Sequence, residues 1–447
     1  AYNSTIALTI DPVVRVWGTY YGGTGADYAS SCATDTSGNI YLAGSTYSMT
    51  EIATSGAHQT GFGGSSNAFL VKFNSIGVRQ WGTYYGGTDI DGGGSCAADN
   101  NGNIFLMGRT NSTSGIATTG AYQTTCDGGF LVKFNGSGVR QWGTYSGISG
   151  RSCAIDNGGN IFLVGSTNST SSATTGAHQT TYGNSFLVKF NSGGVRQWAT
   201  YYGGSSGLGQ AESCATDNNG NVYLAGITES TTGITTAGAH QTTHGGGYEE
   251  TFLVKFNSSG VRQWGTYYGG TGYDHGYSCV TDTSGNVYLA GLTQSTSGIA
   301  TTGAHKTTIG STDGFLVKFN SSGVRQWATY YGGSDGDRFS FLALDSSDNV
   351  YLIGHTNSTT GIATTGAYQT TIGGGTDAFL VKFNSSGVRQ WGTYYGGAEY
   401  ERNGLCATDS RGNIFFGGWT GSTSGIATTN SHQTTKNNNY DSFLVKF

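Results

Sequence analysis

The chain has 447 residues, 26 of them acidic and 21 basic, and its formal net charge of −5 gives no electrostatic basis for binding nucleic acid. No apolar run approaches the roughly 18 residues that a membrane span requires. Glycine occurs 78 times, proline once, and aromatic residues make up 13% of the chain. This composition favours β-structure with many tight turns.

In chain order, residues 1–12, which include Pro12, are predicted to be a linker or tail, and residues 13–447 a single β domain. Within this domain a unit of about 62 residues occurs seven times. Its clearest marker, Phe-Leu-Val-Lys-Phe, begins at Phe69, Phe130, Phe186, Phe252, Phe315, Phe379 and Phe443. The spacing varies between 56 and 66 residues, which indicates a fixed framework with loops of different length.

Each unit predicts four short strands. Their sequences are close to Ser-Cys-Ala-Thr-Asp, Asn-Ile-Tyr-Leu-Ala-Gly-Ser-Thr, Phe-Leu-Val-Lys-Phe-Asn and Val-Arg-Gln-Trp-Gly-Thr-Tyr-Tyr. Asp-x-x-Gly-Asn joins the first two strands, and Asn-Ser-Ser-Gly joins the last two; both are typical of tight turns. The turn Asp could be a calcium ligand, but one carboxylate in four residues cannot supply the six to eight oxygens that calcium takes.

The third strand is apolar on both faces apart from its Lys, which indicates a sheet packed between two neighbours. Seven four-stranded antiparallel sheets around one axis form a β-propeller, an all-β fold. The segment Val13–Tyr21 supplies only a fourth strand, and Leu405–Phe447 supplies only the first three. We therefore expect Val13–Tyr21 to pair with Phe443–Phe447 and close the ring, which removes exposed sheet edges. A linear solenoid would instead need capping repeats.

The combination of Tyr-Gly-Gly, Asp-x-x-Gly-Asn-Ile-Tyr-Leu-Ala-Gly-Ser-Thr and Phe-Leu-Val-Lys-Phe resembles the bacterial seven-bladed β-propeller repeat family called SBBP. The resemblance runs from about Val13 to Phe447, in all seven units. It implies a secreted or cell-surface protein. It carries no common catalytic activity, so it implies no catalytic residue.

Six cysteines occupy one position of the first strand, at Cys32, Cys96, Cys153, Cys214, Cys279 and Cys406. Equivalent positions in separate repeats are too far apart for disulfides, and no metal-binding spacing accompanies them. We interpret them as small buried hydrophobic side chains. Cys126, in a loop, is a candidate free thiol.

Strand direction predicts two different faces. The tight-turn face carries the two short turns, and the long-loop face carries the fourth-to-first and second-to-third connections. Because the long-loop face holds the length variation, we expect partners to bind there.

Two sets of residues on the long-loop face are candidate ligand-binding residues. The first is a His/Tyr ring: His58, Tyr122, His178, His240, His305, Tyr368 and His432. These side chains could surround a common mouth and grip sugars, or they could fill gaps between blades; the exchange of His with Tyr favours the second interpretation and argues against a metal.

The second set is acidic: Asp27, Asp91, Asp274, Asp337 and Glu401. It is interrupted by Ile148 and Gly209, for which Glu212 could compensate. These carboxylates could bind a cation or a polyol near the axis, or they could be solvated caps for backbone donors. No other cofactor is predicted.

A Trp occurs once in each fourth strand: Trp17, Trp81, Trp142, Trp198, Trp264, Trp327 and Trp391. These rings could form a sugar platform, but packing between blades with the preceding Arg stacked on the Trp is favoured. Trp419 lies outside this set.

Three functions remain open at the level of sequence. The first is a non-catalytic structural or adhesive module that makes multivalent contacts with surface or extracellular proteins. The second is a multivalent lectin that binds glycans. The third is a hydrolase or lyase with its site at the channel mouth, although no Gly-x-Ser-x-Gly elbow or phosphate loop is present.

Overall fold

A computed structural model describes residues 14–447 apart from positions 168, 170, 171, 205 and 206. These residues form 28 β-strands and no helix, arranged in seven antiparallel sheets of four strands. Neighbouring innermost strands contact one another around the ring. The predicted seven-bladed β-propeller is therefore confirmed.

The chain enters the ring as β1 (Trp17–Tyr21). Blade one contains β2 (Asp27–Thr34), β3 (Ile40–Thr46), β4 (Asn67–Phe73) and β5 (Arg79–Tyr85). Blade two contains β6 (Asp91–Ala98), β7 (Ile104–Thr110), β8 (Gly129–Phe134) and β9 (Arg140–Tyr145). Blade three contains β10 (Ser149–Ile155), β11 (Ile161–Ser166), β12 (Ser185–Phe190) and β13 (Arg196–Tyr202).

Blade four contains β14 (Gly209–Thr216), β15 (Val222–Thr228), β16 (Glu250–Phe256) and β17 (Arg262–Tyr268). Blade five contains β18 (Asp274–Thr281), β19 (Val287–Thr293), β20 (Asp313–Phe319) and β21 (Arg325–Tyr331). Blade six contains β22 (Asp337–Leu344), β23 (Val350–Thr356), β24 (Asp377–Phe383) and β25 (Arg389–Tyr395). Blade seven combines β26 (Glu401–Thr408), β27 (Ile414–Thr420) and β28 (Asp441–Lys446) with β1.

The hydrophobic core lies between adjacent blades. Between blades one and two, for example, Tyr41 and Leu70 pack against Ile104 and Val132, and all four side chains are fully buried. Both faces of each second and third strand are covered in this way, as the apolar Phe-Leu-Val-Lys-Phe pattern predicts. The fold therefore depends on every blade having two neighbours.

Blade seven is closed by both ends of the chain. β1 pairs with β28 from Trp17 opposite Lys446 to Tyr21 opposite Ser442. The predicted closure is confirmed, although β1 begins at Trp17 and not at Val13, and it pairs with Ser442–Lys446 and not with Phe443–Phe447. Val13 and the predicted linker at 1–12 lie outside the described residues.

The tight turns hold neighbouring blades together. In the Asp-x-x-Gly-Asn turn, Asp35 Oδ1 accepts hydrogen bonds from the backbone NH groups of Ser37 and Asn39. In the other turn of blade two, Gly138 has a φ of 80°, and a Cβ there would collide with the ring of Trp81. Trp81 Nε1 donates to the Gly136 carbonyl at 3.1 Å. Glycine is thus required by both conformation and space.

This Trp contact recurs from blade to blade, which confirms that the Trp ring lies between blades. The equivalent Nε1 of Trp391 has no hydrogen-bond partner among the described residues. In blade seven the third and fourth strands belong to opposite ends of the chain, so the partner turn is interrupted there. The predicted Arg–Trp stacking is wrong: Arg196 lies 5.4 Å from the centre of the Tyr122 ring instead.

The long second-to-third loop covers the outer edge of its own blade. In blade one the backbone NH of Thr54 donates to the Gly82 carbonyl at 2.8 Å, and that of Tyr84 donates to the Gln59 carbonyl at 3.2 Å. Equivalent bonds occur in the other blades. The loop therefore occupies hydrogen-bonding groups of the outermost strand that would otherwise be open to another chain.

The cysteines form no disulfide among the described residues. Cys96, Cys153, Cys214 and Cys279 are buried as expected, whereas Cys32 and Cys406 are only partly buried. Burial raises the pKa of Cys96 to about 12. These thiols therefore stay protonated and unreactive at neutral pH.

Candidate functional site

The His/Tyr ring lies at the outer rim of the propeller. His58 packs against Tyr85 of its own blade and Phe134 of the next blade, with ring centres 6.1 and 5.7 Å apart. It also lines a groove with Gly138 and Arg140, close to the tight-turn face. Of the two interpretations of this ring, the one in which it surrounds a common mouth is therefore wrong, because the loop that carries it runs along the outermost strand towards the tight-turn face.

The imidazoles of the His/Tyr ring are not suited to sensing pH near neutrality. Burial and the neighbouring Arg140 lower the pKa of His58 to about 4. His240, His305 and His432 have a pKa of about 4 for the same two reasons. These imidazoles are neutral at physiological pH. Ligand binding at the rim stays a prediction, and the packing favours the interpretation in which the ring fills gaps between blades.

The acidic residues lie inside the ring and are fully buried: Asp27, Asp91, Asp274, Asp337 and Glu401. In blade one, Asp27 Oδ2 accepts hydrogen bonds from the Gly23 NH at 2.8 Å and from Ser48 Oγ at 2.7 Å. The carboxylates thus hold the connection between blades. They cap backbone donors as one interpretation expected, but they are buried and not solvated. Binding of a cation or polyol by these residues stays a prediction, and a ligand would need the connection to open.

A second buried residue, at the start of a third strand, lies beside each of these acids. A side chain at Gly269 would meet the carboxylates of both Glu250 and Asp274, so the Tyr-Tyr-Gly-Gly link leaves room for the two groups. The pairs are Asp27 with Asp441, Asp91 with Asn67, Asp274 with Glu250, Asp337 with Asp313, and Glu401 with Asp377. Sequence reasoning missed the second members, although an acidic residue or Asn recurs two residues before Phe-Leu-Val-Lys-Phe.

Burial shifts the titration of these pairs towards neutral pH. It raises the pKa of Asp27 and Asp337 to about 6, and that of Glu250 and Glu401 to about 7, with the partner carboxylate adding to the shift. A carboxyl group with a pKa of about 7 is half protonated at neutral pH. The blade connections are therefore coupled to pH.

The repeat is broken at the mouth of the central channel, on the long-loop face. Each innermost strand has a β-bulge near its start, seen in blade one as a register shift between Ala29 and Ser31. The bulge re-aims the side chain beside it, as is common next to functional sites. In each innermost strand, two residues are called the channel positions: the bulge residue and the residue two positions before it.

No two blades carry the same pair of residues at these channel positions. In blades one to seven the pairs are Tyr28 and Ser30, Gly92 and Gly94, Ser149 and Arg151, Gln210 and Glu212, His275 and Tyr277, Arg338 and Ser340, and Arg402 and Gly404. The third and fourth strands are almost identical from blade to blade, so the channel mouth is asymmetric while the framework is symmetric.

One side of the channel mouth carries a chain of charged and aromatic groups. Arg151 Nη1 donates to Glu212 Oε2 at 3.0 Å, and Glu212 Oε1 lies 3.7 Å from His275 Nε2. The Tyr273 hydroxyl lies 2.9 Å from His275 Nδ1, and the imidazole stacks on Tyr277 with ring centres 4.1 Å apart. Burial opposes ionisation of Glu212, but the nearby His275 imidazole and the charge of Arg151 lower its pKa.

The other side of the channel mouth is basic. Arg338 and Arg402, together with His355, line a cavity of about 560 Å³. An adjoining cavity of about 640 Å³ contains Arg109 and Arg151. Burial, Arg338 and Arg402 lower the pKa of His355 to about 4, so the imidazole is neutral.

Trp419 belongs to an aromatic cluster beside blades seven and one. Its ring centre lies 5.8 Å from that of Tyr28 and 5.0 Å from that of Tyr440, in edge-to-face geometry. Tyr47 extends the cluster and is 47% exposed. This side of the mouth therefore offers aromatic surface to solvent.

Sequence reasoning missed the channel mouth because it followed the residues that repeat. Seven basic residues lie outside the repeated Lys and Arg positions, and four of them are Arg109, Arg151, Arg338 and Arg402. These four side chains give the mouth a local positive charge that the net charge of the whole chain does not indicate. Glu212 does not compensate for the interrupted acidic set, since it lies on the bulge. The residues that depart from the repeat are the sequence signal that could have identified the channel mouth.

Within the described part of the chain, no three His, Cys, Asp or Glu side chains are grouped as metal ligands. That part also has no helix with the length and apolarity needed to cross a membrane.

Among the comparisons with known proteins, the match to a repeat family supports the fold. A family model described as the SBBP β-propeller repeat matches residues 16–49, 197–231 and 263–298. A solved protein of unknown function from Dyadobacter fermentans DSM 18053 is 10% identical, with a TM-score of 0.45 over 98% of this chain and 100% of that chain. A fungal alcohol oxidase of the AA5 family, in complex with copper, is 12% identical, with a TM-score of 0.49 over 96% of this chain and 76% of that chain. No curated protein matches the chain.

Proposed function

Because the chain is built from SBBP β-propeller repeats in a closed seven-bladed ring, we propose that it is a secreted or cell-surface module that binds its partner without catalysis. The partner is a surface or extracellular protein or a glycan, and it binds at the channel mouth on the long-loop face. The observation that carries the proposal is the asymmetry of the mouth within a symmetric framework. Multivalent contact through seven equal sites is less favoured, because the blades differ there.

The surface of the mouth supports binding of a glycan. Tyr47 and Tyr400 are 47% and 44% exposed, and Tyr248 is 71% exposed. Exposed aromatic rings on the long-loop face suit the apolar faces of sugars, whereas the Trp ring is engaged between blades. A carbohydrate partner therefore fits the geometry better than the sequence alone indicated.

Catalysis at the mouth is a second candidate function, favoured by one observation. The Tyr273 hydroxyl and His275 Nδ1 lie within hydrogen-bonding distance, at 2.9 Å. Such a pair could move a proton. Turnover of a bound glycan, lost in His275→Ala, would favour this candidate and overturn the non-catalytic proposal.

The proposal is tested by changing one aromatic residue in each region. We expect Tyr277→Ala, in the mouth, to weaken binding to a glycan and surface-protein array at least tenfold, since it removes a wall of the cavity. The matched control is Tyr182→Ala, which removes a 47% exposed ring at the rim. Equal binding by both variants and the native chain would contradict a site at the mouth.

A further inference from the structure

Three guanidinium groups at the channel mouth have no acidic partner. Arg109, Arg338 and Arg402 are exposed, and no carboxylate among the described residues lies within 4.0 Å of them. Arg402 lies over the Tyr400 ring at 5.3 Å. Arg338 and Arg402 line the same cavity, so their charges add in one place.

His355 lies between these two arginines. Its Nδ1 is buried and has no hydrogen-bond partner among the described residues. Burial is the main cause of its lowered pKa, and the charges of Arg338 and Arg402 add to it. The imidazole is neutral and contributes no positive charge, so the two arginines supply the charge that an anion would meet. Arginine suits planar or tetrahedral oxyanions because it presents several donors in a fixed geometry.

The acidic groups Glu212 and Glu249 belong to blade four, whereas Arg338 and Arg402 belong to blades six and seven. Glu212 binds Arg151, and Glu249 Oε2 lies 3.6 Å from His275 Nδ1. The mouth therefore has a basic end and an end of mixed charge. A ligand with one anionic group would be oriented along this direction.

The walls of the cavity suit a saccharide better than a peptide. Leu292 is its one aliphatic side chain, and the others include the phenols of Tyr273 and Tyr277 and the amides of Gln294 and Asn357. Amides and hydroxyls pair with sugar hydroxyl groups, and aromatic rings pack on sugar faces. An acidic peptide would leave apolar side chains with little to contact.

We propose that the channel mouth binds an acidic oligosaccharide, with a carboxylate or sulfate group held between Arg338 and Arg402 and the sugar rings against Tyr273 and Tyr277. This inference rests on the proposed function, because it assigns the chemistry of the partner at the same site. Carboxylate and sulfate share the anionic chemistry that the arginines recognise.

The test is a calorimetric titration with four probes: tetragalacturonate, a sulfated galactan tetrasaccharide, neutral cellotetraose and a hexaglutamate peptide. We expect one or both acidic saccharides to bind at least tenfold more tightly than the neutral one, and the stronger arm identifies carboxylate or sulfate. Arg338→Gln and Arg402→Gln should each weaken that binding about tenfold, as expected for a lost charge-assisted hydrogen bond.

The matched control is Arg411→Gln, which removes the same charge from an exposed turn on the tight-turn face. It should change affinity less than twofold. An independent readout is the His355 resonance in NMR, because a bound anion offsets the two guanidinium charges and should raise its pKa by about one unit. The rim residue His58 should not respond.

Two results would overturn the inference, and they are distinguishable. If binding requires Tyr277 but is indifferent to the charge of the sugar, or favours hexaglutamate, the ligand class is wrong and the proposed site stands. If no probe binds and array binding also survives Tyr277→Ala, both the ligand class and the proposed function fail.

Discussion

The tight-turn face and the channel mouth contrast within one repeated sequence. On the tight-turn face, each Asp turn closes on its own backbone, and Trp Nε1 groups reach the turn of the next blade, as Trp81 reaches Gly136. At the mouth, His275 and Tyr277 of blade five have no counterpart in blade six, where Arg338 and Ser340 lie. Repetition therefore marks the contacts that hold the ring, and deviation marks the place where it can recognise a partner.

The contrast has a physical basis. A contact between blades must be made seven times with one geometry, so any local change strains two neighbours. A side chain that points into the channel from a β-bulge makes contacts that are not repeated around the ring, as Arg151 does with Glu212, so it can vary at less cost. Variants of the framework should thus change stability alone, and variants of the mouth should change binding alone.

The largest expected effect comes from removing β1 by deleting residues 1–21. The deletion removes the buried rings of Trp17, Tyr20 and Tyr21, each worth about 3–5 kcal/mol by analogy with large-to-small core substitutions. That sum is comparable with the whole stability of a typical domain. We expect loss of the cooperative thermal transition, or self-association through the β28 edge, in light scattering and calorimetry.

A synthetic peptide of residues 14–23 serves as the control for this deletion. If closure is the missing element, adding the peptide should restore a monomer with a cooperative transition. A truncated chain that remains monomeric with an unchanged melting temperature would show that the ring does not depend on this seam.

A smaller effect is expected from Asp217→Ala in a tight turn. The buried Asp217 carboxylate accepts hydrogen bonds from the NH groups of Asn219 and Asn221, and lies 3.6 Å from Lys255 Nζ. Its loss leaves these donors unpaired, which costs about 2–3 kcal/mol in the free energy of unfolding. Urea denaturation measures this change. Affinity for any mouth ligand should not change.

Asp89→Ala is the matched control, because Asp89 is exposed and its carboxylate accepts a hydrogen bond from the adjacent Ile90 NH. It should change the free energy of unfolding by less than about 0.5 kcal/mol. If Asp217→Ala altered ligand binding as strongly as stability, the claim that the framework governs stability alone would be wrong.

The smallest effect concerns pH and the buried Glu401. Its pKa is raised from 4.5 to about 7 in the folded chain, so the folded state binds more protons than the unfolded state between these values. Its contribution to stability is complete below pH 4.5 and is lost as pH rises through about 7. Relative to the native chain, Glu401→Gln should therefore gain stability between pH 4.5 and 8, measured by urea denaturation at each pH.

Glu399→Gln is the control for this titration, since Glu399 is exposed two residues away on the same connection. Its stability relative to the native chain should not change with pH. If Glu401→Gln also showed no relative change, the buried acid pairs would not couple the blade connections to pH.

The sequence predicted the elements that obey the repeat. The spacing of Phe-Leu-Val-Lys-Phe, the two turns and the split seventh blade predicted the ring and its closure, because each depends on local patterns that occur seven times. The path of the loop through Thr54 and Gln59 was not predictable, since it depends on backbone hydrogen bonds to a distant strand. For that reason the sequence left open whether His58 lies at the mouth or between blades, and the structure places it at the rim.

The candidate site was the least predictable part. Arg338, His355 and Arg402 lie in three different strands and belong to no known sequence motif. Only the closed ring brings the innermost strands of blades six and seven together. The β-bulge that aims Glu212 into the channel has no distinctive sequence. A register comparison of the seven units could have identified these positions by their variation.

The seam between β1 and β28 also has a mechanical consequence. The Val16 NH donates to the Lys446 carbonyl at 2.8 Å, so residues 14 and 447 lie at the same end of the two paired strands. Because the strands are antiparallel, tension applied to these residues in opposite directions loads the hydrogen bonds one after another and not all together. The seventh blade should therefore unzip at low force, while the six continuous blades transmit no load.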